Sequence, residues 1–176
     1  MTVEEFIDWA IAQPKGRFEL EDGRIVEMSP ERVGHIKAKL RVIKALERAI
    51  ESSGADLFAL TDGATVRINS HTAYEPDALV YRGPELPDAA VEVPNPVLVV
   101  EVLSPSTSRR DTVVKAENYF KCSSVEAYLI VDWDAKVVQV HRRAGDGVLS
   151  DAIRDGAIEL DALGLRLNAI DLLAKA

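Results

Sequence analysis

Residues 95–107 read NPVLVVEVLSPST, and six of the eight residues in 96–103 are aliphatic. A run of that density predicts a strand covered on both faces, which places a sheet at the centre of the molecule. Glu101 interrupts the run. A carboxylate in an apolar strand is costly unless something pairs with it, so the reading of this strand also bears on function.

A second acidic strand lies upstream, in AYEPDALVY (residues 73–81), where Asp77 follows Pro76. Along a strand Glu75, Asp77, Leu79 and Tyr81 share one face, as do Val97, Val99, Glu101 and Leu103 of the later strand. If the two strands are neighbours, Asp77 and Glu101 meet near one sheet edge. Clustered carboxylates repel unless a cation or a shared proton holds them, and Mg²⁺ takes one or two carboxylates together with water and phosphate oxygens. The other reading has Glu101 reaching solvent or pairing with a lysine or arginine. Spacing alone divides evenly between the two.

The flanking sequence supplies the remaining elements. Residues 2–13 read as a helix with Thr2 as N-cap and Glu5 three positions on. RFELEDGRIVEM (17–28) reads as a hairpin turning at Asp22-Gly23, with Glu21 opposite Arg24 and Leu20 opposite Ile25. Residues 31–53 read as a helix with Ile36, Leu40, Ile43 and 46–50 as its apolar face and Gly54 as its C-cap. DLFALT, ATVRI and DALVY have strand character, and a second helix is expected over 108–122. AYLIVDW and KVVQVHR follow as strands joined at Asp134-Ala135, and the tail ends in a short helical segment. This order describes an α/β fold with a mixed central sheet flanked by helices and an N-terminal hairpin. The length of 176 residues fits one domain.

The formal net charge is −8, which counts modestly against nucleic acid as a partner without excluding it. No apolar run is long enough to span a bilayer, and the acidic, amphipathic N-terminus is unlike a secretory signal. Cys122, the one cysteine, has no internal disulfide partner. These features predict a cytoplasmic protein. On the second helix Asp111, Lys115 and Tyr119 line one face, and Lys115 can lean over the carboxylate pair. A surface ion pair between Asp111 and Lys115 is the plainer alternative. On the first long helix Lys37, Arg41, Lys44 and Arg48 fall in one stripe, either a track for phosphates or a solvated face.

Taken together, Pro76-Asp77, VVEVLSPSTSRRD (99–111), Lys115 with Tyr119 and SVEAYLIVDWDAKVVQVHR (124–142) resemble the Uma-type putative restriction endonucleases. FELEDGRIVEMSP (18–30) and His35 match that family's opening, so the likeness spans roughly residues 15 to 145. The family belongs to the PD-(D/E)XK nucleases. The resemblance therefore implies a restriction-endonuclease-like fold and a phosphodiesterase site dependent on Mg²⁺ or Mn²⁺, with Asp77 and Glu101 as metal ligands. The lysine expected two residues after the strand acid is Leu103 here, and Lys115 is the candidate for a relocated one. It would orient water or stabilise the phosphate. Glu19 and His35 sit at family positions; a solvent-facing glutamate and a surface histidine are the alternatives. The resemblance implies an endonuclease acting on nucleic acid, with DNA the expected form, and superfamily analogy implies a homodimer. The competing reading is a catalytically inactive nuclease-fold module that binds nucleic acid or a protein partner.

Overall fold

The structure, a computed structural model, describes residues 1–103 and 109–174, and the backbone alone for 109–111. The expected helix start at Ser108, the SPSTS connection and the side chain of Asp111 lie outside the described residues.

The chain opens with α1 (Val3–Ile11), capped as its sequence predicts: the Thr2 hydroxyl accepts from the Glu5 amide, and the Glu5 carboxylate accepts from the Thr2 amide. β1 (Phe18–Glu21) and β2 (Arg24–Glu27) then form the expected hairpin, with Leu20 opposite Ile25 and Glu21 opposite Arg24. Asp22 and Gly23 both have positive φ, 48° and 76°, the backbone that a two-residue turn of matching twist requires. α2 (Val33–Ser53) ends at Gly54, which is left-handed at φ 65°. Five strands follow: β3 (Leu57–Thr61), β4 (Val66–Asn69), β5 (Thr72–Tyr74), β6 (Ala78–Arg82) and β7 (Pro96–Val102). α3 (Arg109–Tyr119) leads to β8 (Ala127–Asp132), β9 (Val137–Ala144) and β10 (Gly147–Ile153). The chain closes with β11 (Ala157–Leu160), a 3-10 turn (Asp161–Leu163), β12 (Leu165–Asn168) and α4 (Ala169–Leu173).

The central sheet has the order β10-β9-β8-β7-β6-β3. Only β7 and β8 run parallel, joined through α3 as parallel neighbours require. β7 lies mid-sheet between two apolar layers. Leu98, Val100 and Val102 pack with α2, β11, β12 and α4, whereas Val99 packs with Tyr74, Tyr119 and Tyr128 on the other side. The near-continuous aliphatic run follows from that double burial. A second sheet, β2-β1-β5-β4, carries α1 through Val3, Phe6, Leu20 and Ala73.

Two features differ from the sequence expectation. The buried face of α2 consists of Ala38, Val42, Ala45, Leu46 and Ala49, with His35 and Lys39 at its N-terminal end. Ile36 and Leu40 stand half exposed instead, whereas Ile43, Leu46, Ala49 and Ile50 pack with the core as expected. Small alanines let the helix lie close on the sheet, so the inward face is less oily than its neighbour. In addition, the expected strand over 73–81 is broken at 75–77 into β5 of the small sheet and β6 of the central one, and β10, β11 and β12 had no counterpart in the expected strands. β10 is an exposed edge, and β11 with β12 forms a hairpin that seals the α2 layer.

Arg143 on β9 fixes the far end of α3. It donates to the carbonyls of Phe120 (2.9 Å), Cys122 (3.0 Å) and Val125 (2.9 Å), the segment linking α3 to β8. Charged hydrogen bonds to buried carbonyls stabilise by about 1.5–3 kcal/mol. Arg143→Ala is therefore expected to lower urea stability by about 2–3 kcal/mol, and an unchanged midpoint would show that α3 is anchored elsewhere.

Candidate active site

Two adjacent strands place the acidic pair. β6 and β7 are antiparallel with Ala78 opposite Val100, so Asp77, one residue before β6, arrives beside Glu101. The Asp77 carboxylate accepts from the Val102 amide at 2.7 Å, which ties it to the end of β7. Both residues line a cleft of about 570 Å³ whose walls come from β1, the segment after β2, the start of α2, α3 and the β8–β9 turn.

Glu101 is held from the α3 side. Its Oε1 accepts from Lys115 Nζ at 3.2 Å and from the Tyr119 hydroxyl at 3.0 Å. Lys115 Nζ also donates to Glu19 Oε1 at 2.8 Å and lies 5.1 Å from the centroid of the Tyr74 ring. Glu19 is only 7% exposed, and it accepts from the Glu75 amide as well. The solvent-facing reading of Glu19 therefore does not hold, and Lys115 turns inward to the two carboxylates, its alternative partner Asp111 having a side chain outside the described residues. Burial disfavours the ammonium of Lys115, yet Glu101 and Glu19 outweigh it and hold the lysine charged. Burial disfavours the charged form of Glu101 too, which for an acid means a higher pKa. Helped by the charges of Asp77 and Glu19 and opposed by Lys115, it pushes the Glu101 carboxyl up to about 7.

The other side of the cleft belongs to α2. His35, 8% exposed, donates from Nε2 to the Val102 carbonyl at 2.8 Å, and the same nitrogen lies 3.5 Å from Asp77. Its Nδ1 is buried without a hydrogen-bond partner, 3.6 Å from Glu31 Oε2. Burial thus rules out the surface-histidine reading. Lys39, one turn further on, is more deeply buried still. It meets Glu31, Asp62 (2.6 Å) and Asp77 (3.5 Å), and Arg17 adds contacts to Glu31 and Asp62, both 2.8 Å, and to Glu75 at 3.4 Å. The sequence reading missed Glu31, Lys39, Arg17 and Asp62. Glu31, His35 and Lys39 are each four apart, so a shared helical face was there to be found. Arg17 and Asp62 come from separate segments and left no local signal.

Asp77, Glu101, Lys115, Glu19 and His35 thus converge on one cleft. Lys37, Arg41, Lys44 and Arg48 do not line it: Lys37, Lys44 and Arg48 are exposed, and Arg48 lies 3.4 Å from Asp171 of α4. Among the described residues the lining carries the carboxylates Glu19, Glu21, Glu31, Asp77 and Glu101 against Arg32 and Lys115. That excess repels a polyanion unless cations enter with it. Ligand atoms of Glu31, His35 and Asp77 lie within 4.8 Å of one another. The two carboxylates suit Mg²⁺ or Mn²⁺, an imidazole beside them favours Mn²⁺ over the harder Mg²⁺, and the Nε2–H bond to Val102 leaves Nδ1 as the lone-pair donor. The unpartnered Nδ1 is where the donor set fits a cation. Asp77 and Val102 raise the His35 pKa against the effect of burial, with Glu31 adding to them, so a proton competes with the cation there.

The family profile described as "Uma2: Putative restriction endonuclease" matches residues 3–169. The chain is 25% identical over 176 residues to the uncharacterized protein slr1290 of Synechocystis sp., covering 98% of this chain and 90% of that one. It also superposes on the crystal structure of a putative nuclease belonging to DUF820 from Anabaena variabilis. The TM-score is 0.75 at 17% identity, over 99% of this chain and 98% of that one. The expected fold is borne out by that likeness.

Because Glu101 is protonated more readily in the folded state than in the unfolded chain, its contribution to stability is full below 4.5 and is lost as pH rises through about 7. A carbon-detected NMR titration of the metal-free protein should give Glu101 a midpoint near 7. Lys115→Met should move that midpoint upward, and a wild-type midpoint in the usual carboxylate range would contradict the buried geometry.

Proposed function

Because the chain belongs to the Uma2 family of putative restriction endonucleases, we propose that it is a metal-dependent endonuclease hydrolysing phosphodiester bonds of nucleic acid, DNA foremost. The observation that carries this reading is the convergence of Asp77 and Glu101 at the ends of adjacent strands, with Lys115 charged and half-buried against Glu101.

Asp77 and Glu101 would hold Mg²⁺ or Mn²⁺, with Glu31 and His35 at the Asp77 end. Such an ion, when bound, supplies Lewis acidity toward the phosphate and activates water at neutral pH. The protein's own groups do the rest. Lys115 presents an ammonium in a half-buried site, where charge developing on the phosphoryl oxygens is stabilised more than in solution. Glu19 and the Tyr74 ring restrain that ammonium, which reduces the reorganisation needed during reaction. The Val102 amide and the His35 imidazole hold Asp77 between them, so its carboxylate keeps its orientation as ligands enter.

One observation favours the inactive binding module. Asp77 and Glu31 already face Lys39, and Glu101 and Glu19 already face Lys115. A site that neutralises its own acids can be stable without metal. Plasmid and single-stranded DNA assays with Mg²⁺ or Mn²⁺ separate the two readings. Metal-dependent cleavage should fall about 10²–10³-fold in Lys115→Ala, the usual cost of removing one charge-stabilising donor, and should vanish in Asp77→Ala. Absence of cleavage by a folded wild type with every metal tried favours the module.

Metal binding offers a separate check. His35→Ala should weaken Mn²⁺ affinity by about 10–100-fold in calorimetry, the range seen when groups that hold a metal site are removed. Unaltered affinity would leave the α2 side without a part in binding.

A further inference from the structure

Tyr128 sits on β8 opposite Val99 in the parallel register, so it lies beside the strand that carries Glu101 two residues further on. Its side chain has 0% exposure, yet it belongs to the lining of the cleft. The hydroxyl is buried without a hydrogen-bond partner. Its two neighbouring tyrosines are different. Tyr74 accepts from Asn118 at 2.7 Å, and Tyr119 donates to Glu101. Tyr119 packs against the Tyr128 ring at 5.2 Å and His141 stacks on it at 5.8 Å, which restrains the ring.

A buried polar group left unpaired works against folding, and native structures keep few of them. This one is fixed in place next to a candidate phosphate site. A phenol is protonated at neutral pH, and burial together with Glu101, Asp77 and Glu19 reinforces that state, so the group is available as a donor. Carboxylates that hold a cation accept hydrogen bonds and give none, so with metal in place the cleft's acids offer an incoming anionic oxygen nothing to bind. Lys115 and Tyr128 are donors in that lining.

Resting on the nuclease reading above, we propose that entry of the nucleic-acid strand with its cations shifts the side chains over Tyr128 and lets its hydroxyl donate to a phosphate oxygen, which makes Tyr128 a further substrate-contacting residue. The strand enters with the cations that offset the acidic lining, and Tyr128 donates to the phosphate from the β8 side while Lys115 does so from α3.

Tyr128→Phe tests this, since it removes one oxygen and keeps the ring. Three results are expected. Metal-free thermal stability stays equal to wild type or rises, because the lost hydroxyl had no partner. Affinity for inorganic phosphate, titrated calorimetrically in the presence of Mn²⁺, falls by about 10–100-fold, as for a lost hydrogen bond to a charged group. The kcat for single-stranded DNA falls by a comparable factor while Mn²⁺ affinity holds. Unchanged phosphate affinity would overturn the proposal and leave the hydroxyl to water, and so would a wild type that binds no phosphate. A clear loss of metal-free stability would also overturn it, because the hydroxyl would then have a partner within the protein. Should the wild type cleave nothing, the nuclease reading fails on that result alone, and the phosphate titration still judges Tyr128.

Discussion

The ammonium of Lys115 lies between two carboxylates that the fold has taken out of water. Glu19 comes from the small N-terminal sheet, Glu101 from the middle of the central sheet, and Lys115 from the helix that connects two of its strands. Isolated buried charges of one sign would open the structure to water; with the cation between them they hold three elements at one point. Lys39 and Arg17 do the same on the other wall, binding α2, the base of the first hairpin and the end of β3 through Glu31 and Asp62. The cleft is thus framed by two charge clusters, and Asp77 stands where they meet.

This arrangement explains why an acidic protein can be a candidate for handling a polyanion. Net charge describes the whole surface, whereas entry into the cleft depends on how the acids near its floor are compensated. Much of the compensation is internal: Arg17 and Lys39 reach Glu31 without belonging to the lining of the cleft. What a ligand meets is therefore an excess of carboxylate, and divalent cations are the natural complement.

Local chemistry made some of this legible in the sequence. The Thr2–Glu5 capping box, the Asp22-Gly23 turn and the register it sets depend on residues a few positions apart, and each was readable. The aliphatic run around Glu101 announced a central strand for the same reason. The face of α2 was misread because Ile36 and Leu40 are the oiliest residues near its start, while close packing on the sheet selected alanines. β10 has no alternation to reveal it, since nearly all of it is exposed along the sheet edge. In the tail the expected short helix is α4, whereas Ile158 with Leu160 and Leu165 with Leu167 alternate over too few positions to announce a hairpin. Lys39 went unnoticed because a lysine on a helix is ordinarily wet, and its partners arrive from distant segments.

The hairpin of β11 and β12, together with α4, supplies Ile158, Leu160, Leu163, Leu165, Leu167, Leu172 and Leu173 to the layer beneath α2. These side chains belong to the last stretch of the described chain, yet they cover strands made far earlier in synthesis. On the ribosome, the inner face of the sheet therefore stays uncovered until this stretch has cleared the exit tunnel. A nascent chain lacks a closed core and a firmly seated α2, and with them the His35 wall of the cleft. Assembly of the site is in this way deferred until β11, β12 and α4 have been made.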